Sequence, residues 1–158
     1  MERTLIENIK KEESKIQIKG RALNIRKLGN IIFIQLQDYT GVIQIVFEKE
    51  SEAKIGDLLS ITGKVVKDER SKSGFEIHGE KIEIISNSIA EIPFDMSKRE
   101  LKLQLSNLLD HRTLSLRHPK IQAIFKLYDI LLKEYETVMR EEGFTEIKTP
   151  KIIETASE

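Results

Sequence analysis

NIIFIQLQDYTGVIQIVFE, residues 30–48, reads as two strands around one turn. Ile32, Ile34 and Leu36 share one parity while Phe33, Gln35 and Gln37 take the other, and after DYTG the residues Ile43, Ile45 and Phe47 alternate with Gln44. Alternation at period two marks strands with one face buried and one face wet.

The same pattern extends on both sides. KIQIKGRALN, residues 15–24, sets Ile16 and Ile18 against Lys15, Gln17 and Lys19, and DLLSITGKVVK (57–67) and GFEIHGEKIEII (74–85) add a fourth and a fifth strand. Between Ile77 and Ile82 the apolar parity slips, which predicts a bulge near Gly79. Five short strands in about 70 residues, with glycines at the bends, point to an all-β five-stranded Greek-key barrel of the OB-fold type. An ordinary five-stranded sheet is the alternative.

Past residue 86 the pattern breaks. SNSIAEIPFD clusters Ser, Asn and Pro without periodicity, as a linker does. From Pro119, suited to a first helical position, the period becomes helical. Ile121, Ile124, Tyr128, Leu131, Leu132, Tyr135, Val138 and Met139 form one apolar stripe, and Gly143 is a natural stop. FTEIKTPKI then reads as an extended segment that Pro150 confines to an edge or a strand end. The expected organisation is an OB domain over 1–93, a hinge over 94–118 and a separate helix-strand unit over 119–158.

Composition narrows the function classes. Charged residues make up 33% of the 158 and apolar ones 39%, enough for a core, and Lys plus Arg (26) balances Asp plus Glu (26). Zero cysteines exclude disulfides, thiolate metal sites and a cysteine nucleophile. The three histidines, His78, His111 and His118, are too scattered to suggest a metal site. No apolar run approaches membrane-spanning length, so no membrane partner is expected and a cytoplasmic location is the default.

The outward parity of the barrel carries the chemistry. Phe33 shares a face with Gln35, Gln37 and Gln44, and an aromatic ring among amides can stack on an unpaired base while an amide both donates to and accepts from its edge. Between Glu13 and Asp38 there is no acidic residue, whereas Lys15, Lys19, Arg21, Arg26 and Lys27 fall inside that window and would attract phosphates. OB barrels bind oligonucleotides on strands 2 and 3, between the first-to-second and fourth-to-fifth loops, here IRKLG and DERSKSG. Single-stranded RNA or DNA is the expected ligand. A surface Phe covering a neighbouring loop, and lysines guarding sheet edges, is the plainer reading of the same residues.

Five separated stretches occur in the order found in one family: IRKLGNIIFIQLQDYTGVIQIV, SGFEIHGEKIEII, IPFD, LDHRTLSLRHPKIQAIFK and EEGFTEIKTPKIIETASE. Together they resemble the N-terminal part of class IIb aminoacyl-tRNA synthetases, in particular the archaeal type of aspartyl enzyme. The resemblance implies an anticodon-binding barrel in which Arg26, Phe33 and Gln44 read the central uridine and its neighbours. It implies that Lys72 helps to tell aspartate tRNA from asparagine tRNA. The family's frequent aromatic near the end of the first strand corresponds to Leu23.

The segment from Pro119 to Ile153 resembles the opening motif of an α+β class II catalytic domain, whose helix and Pro150-bearing strand form a homodimer interface. Glu158 corresponds to a glutamate that contacts the amino group of the bound amino acid. ATP and magnesium serve the complete enzyme, but the arginines that grip the triphosphate would lie after residue 158. The expectation for this chain is therefore tRNA binding without adenylate formation, and no catalytic or metal-binding residue of its own. Two alternatives are a free-standing single-strand-binding OB module and an asparaginyl- or lysyl-type relative.

Overall fold

In the computed structural model, which describes residues 2–71 and 73–152, the stretch quoted first is an antiparallel hairpin. β2 (Ile31–Gln37) and β3 (Val42–Phe47) pair with Ile34 opposite Ile45 and Gln35 opposite Gln44. Asp38 closes the turn: its Oδ1 accepts from the backbone N–H groups of Thr40 and Gly41 at 2.7 and 3.0 Å. Short polar side chains favour such turns because they bond the backbone two or three residues on.

The other strands are β1 (Glu13–Leu28), β4 (Leu58–Lys67) and β5 (Phe75–Ser86), and the five close into a barrel in the order β1, β2, β3, β5, β4. Closure depends on two features. The 16-residue β1 pairs with β4 through its first half and with β2 through its second, and β3 pairs with β5 in parallel. This is the OB arrangement, and it excludes an open sheet.

Four register shifts interrupt the ladders, and two of them bear on the outer face. In β5 the partner of Thr62 is Lys81 and that of Gly63 is Gly79, so Glu80 is the extra residue, beside the glycine where the parity slip predicted it. A Cβ on Gly63 would collide with the carbonyl oxygen of His78, which is why this crossing takes glycine. In β1, Leu23 is the extra residue between Ala22 and Asn24. The backbone groups of Ala22 turn to the β3–β4 connection instead: its N–H donates to Asp57 O at 3.0 Å and its O accepts from Gly56 N–H at 2.8 Å.

The inward parity of every strand fills the barrel, with Ile18, Ile34, Leu36, Ile45, Leu59 and Ile77 almost wholly buried. Each such side chain contributes roughly 1.5–3 kcal/mol by leaving water. Ile6, which opens a single 3-10 turn at Ile6–Asn8, and Ile9, which follows it, join this core, and Asp38 Oδ2 accepts from Ile6 N–H at 2.9 Å. The sequence pattern gave no sign of this plug, since one turn is too short to show a period.

Two differences from the sequence reading concern loops. IRKLG is not the first loop: Ile25 to Leu28 continue β1, and the hairpin turns at Gly29 and Asn30 alone. Gly29, at φ 59°, takes the positive φ that a two-residue hairpin turn needs at its first position. Within 94–118, α1 (Leu105–Asp110) and α2 (Arg112–Ser115) are helical, each too short for a legible stripe.

The chain divides into two units, 1–110 and 111–158. In the second, α3 (Pro119–Glu141) starts with proline at its first turn, His118 capping Lys120 N–H, and ends before Gly143 at φ 86°. Residues 144–150, expected as an extended strand, form no strand ladder among the described residues. A strand is defined by a partner's hydrogen bonds, which local sequence cannot supply. No described helix is long and apolar enough to cross a membrane.

Candidate nucleic-acid interface

The register of the barrel turns its outer surface into ordered rows. Cross-strand pairing links Arg26 to Phe33, Phe33 to Val46, Val46 to His78 and His78 to Lys64, so one row crosses all five strands. The next row runs Asn24, Gln35, Gln44, Glu76 and Val66 by the same pairings. One row thus offers a ring, an imidazole and two cations, and its neighbour three amides and a carboxylate. A groove that tracks a single strand needs both: positive charge for phosphates and flat or amide groups for bases.

Arg26, Phe33 and Gln44, singled out from sequence, stand together here. The Arg26 guanidinium carbon lies 6.0 Å from the centroid of the half-buried Phe33 ring, at the outer limit of a cation–π contact. Arg26 sits on β1 itself, and its position is set by pairing with Phe33. Gln44 lies diagonally across from Phe33, two residues along β3 from Phe33's partner Val46, and its Nε2 donates to Glu76 Oε2 at 3.1 Å. Glu76 is 8% exposed, and its other oxygen lies 2.9 Å from His78 Nε2.

The basic window of β1 does not stay together. Lys27 pairs with Ile32 on the opposite parity from Arg26, and Lys19 pairs with Ser60 on the β4 side. Arg21 is engaged structurally: its Nη1 donates to Gly56 O at 3.0 Å. In place of those cations the fold brings Lys64 and, from the β4–β5 connection, Arg70. Asp68 accepts from Arg70 Nε and N–H, both at 3.0 Å, and this pairing, the side-chain bond foremost, holds the Asp68 carboxyl below its ordinary value. The Arg70 guanidinium is raised by the same contact, and Glu76 adds a smaller effect of the same sign.

Lys72 and Glu158 lie outside the described residues. Pro150 is exposed in the unpaired segment. Leu23, at the bulge of β1, is 7% exposed and borders a cleft of about 790 Å³ with Ala53, Ile92, Phe94 and Met96. Asp57, wholly buried beside this cleft, accepts from Lys54 N–H at 2.8 Å and Ser88 N–H at 2.7 Å.

Sequence reasoning missed Asn24, Glu76, His78 and Lys64. The alternation of Glu76 and His78 around Ile77 placed both on the outward parity of β5. Nothing local said that β5 runs parallel to β3, which is what brings Glu76 to Gln44.

Residues 16–85 match the family of the OB-fold nucleic acid binding domain, and residues 104–158 match the family of tRNA synthetases class II (D, K and N). The aspartate–tRNA(Asp/Asn) ligase of Archaeoglobus fulgidus is 32% identical over 157 residues, covering 93% of this chain and 36% of that protein. Its counterpart from Methanococcus vannielii is 38% identical over 151 residues, covering 89% and 34%.

Among solved structures, the aspartyl-tRNA synthetase of Entamoeba histolytica shares the fold with a TM-score of 0.82 at 22% identity, over 98% of this chain and 40% of its own. The asparaginyl-tRNA synthetase of Pyrococcus horikoshii gives 0.75 at 27% identity, over 89% and 35%. This chain spans about a third of the length of the curated relatives it matches.

Proposed function

We propose that this chain binds the anticodon loop of a tRNA through the Arg26–Phe33 row and Gln44, as the tRNA-selecting part of an aspartate–tRNA ligase. The observation that carries the reading is the cross-strand pair of Arg26 and Phe33 with Gln44 beside it. A half-buried ring is available for a base, a guanidinium stands next to it for the phosphate, and an amide reaches for the base edge. Lys72, in the β4–β5 connection, is assigned a further tRNA contact, and Glu158 a contact with the amino acid in the complete enzyme.

The exposed apolar stripe of α3 and Pro150 are assigned to a homodimer interface, where that stripe would leave water. Adenylate formation needs ATP and magnesium. Neither is assigned to a residue of this chain. A general single-strand binder would account for the outer face of the barrel but not for the synthetase match over 104–158.

The test is a titration of the 158-residue chain with an aspartate-tRNA anticodon stem-loop. Phe33→Ala should weaken binding by about 1–3 kcal/mol, and Arg26→Ala should reduce the salt slope by roughly 0.7. Equal affinity of Phe33→Ala and the parent would remove the stacking assignment.

A further inference from the structure

The end of a glutamine side chain can be rotated by half a turn to exchange its oxygen and nitrogen, and the two arrangements read different base edges. In this barrel Gln44 does not have that freedom. Its partner, Glu76 Oε2 at 3.1 Å, offers only lone pairs, so the amide nitrogen must face β5. The carbonyl oxygen Oε1 is thereby turned away from β5.

Glu76 is itself held. It is 8% exposed although it belongs to the outward parity, and its Oε1 lies 2.9 Å from Nε2 of His78, two residues along the strand. For that contact to be a hydrogen bond the Nε2 must carry a proton. With both oxygens engaged, the carboxylate cannot swing toward solvent and release Gln44. Around this pair stand Lys64, opposite His78 on β4 and 3.8 Å from Glu80, and Asp68 and Arg70 of the β4–β5 connection.

We infer that His78 is a positioning residue that holds Glu76 as a clamp on Gln44, so that the interface offers a base a fixed carbonyl acceptor. A base whose edge presents an imino N–H, uracil or guanine, satisfies it, whereas cytosine presents an acceptor at the same place and is rejected. This rests on the anticodon reading above and adds the device that makes Gln44 selective.

The test uses the 158-residue chain and RNA hairpins identical except for the central loop base, which is uracil, N3-methyluracil or cytosine. The parent should favour uracil over either by about tenfold, the worth of one hydrogen bond to a fixed acceptor. Glu76→Gln should bring the cytosine hairpin to within about threefold of the uracil one, because an amide can meet Gln44 with either end and so lets Gln44 turn its N–H to cytosine. His78→Leu should lower the preference several-fold, and His78→Gln should restore most of it by supplying an N–H to Glu76.

The side-chain amide resonances of Gln44 should move in His78→Leu and return in His78→Gln, a change that general loosening of the barrel would not reverse. An unchanged preference in Glu76→Gln and His78→Leu overturns the clamp, as does loss in His78→Leu that His78→Gln fails to repair. Phe33→Ala separates the two layers. If it leaves hairpin binding intact, the anticodon reading fails; if it weakens all the hairpins while Glu76→Gln leaves the preference unmoved, only the clamp fails.

Discussion

The barrel and the long helix α3 are both written in strong apolar periodicity, yet they use it oppositely. Every strand of the barrel finds a partner and buries its apolar parity, with Ile34, Leu36 and Ile45 at 0% exposure. In α3, Leu131 and Tyr135 are 60% and 63% exposed, and no described residue of the helix is buried. Hydrophobic pattern therefore specifies which face of an element wants cover, but only the topology around it decides whether cover comes from the same unit. A 23-residue helix can keep its shape through its own i to i+4 bonds without burial, whereas a strand cannot exist without a neighbour.

Stability measurements can break this contrast. Ile34→Ala should cost about 2–5 kcal/mol in denaturant unfolding, because it empties the centre of a closed barrel. The buried carboxylate next to the cleft should come second. Asp57→Ala strips two backbone N–H groups of their acceptor, at a cost of roughly 2–3 kcal/mol, and faster exchange at the Lys54 and Ser88 amides would locate the loss.

On the helix, Leu131→Ala should change stability by no more than about 0.5 kcal/mol at concentrations where sedimentation shows a monomer. A cost approaching that of Ile34→Ala would show that α3 is packed in solution and would erase the difference between the two regions.

The smallest expected effect lies in the β4–β5 connection. Asp68 is held below its ordinary carboxylate value by Arg70, so the turn's contribution is complete above that value and is lost as pH falls through the lowered one. The Arg70 amide resonance should titrate with a midpoint below the ordinary aspartate value. A midpoint at or above that would remove the bond from the account.

Much of the barrel was legible because period-two alternation reports directly on a half-buried strand. The inward sets of β1, β2 and β3, the helix from Pro119 to the stop at Gly143, and the bulge beside Gly79 each have a local cause in side-chain parity or backbone freedom. What stayed hidden was short or non-local. The 3-10 turn that delivers Ile6 and Ile9, together with α1 and α2, is shorter than any period. The expected strand before Pro150 has no ladder among the described residues. Arg26 was placed in a loop because the sequence does not show how late a strand ends.

Sequence alone determined the parity of each strand, and hence that Phe33 and Gln44 face outward while the isoleucines face in, because alternation is a property of a single extended chain. The tertiary structure decided which outward residues meet. Parallel pairing of β3 with β5 joins residues 32 apart, Gln44 and Glu76, and closure of the barrel lines up Arg26, Phe33, His78 and Lys64 in one row. Those neighbours are fixed by hydrogen-bond register between distant segments, and no local signal encodes that register.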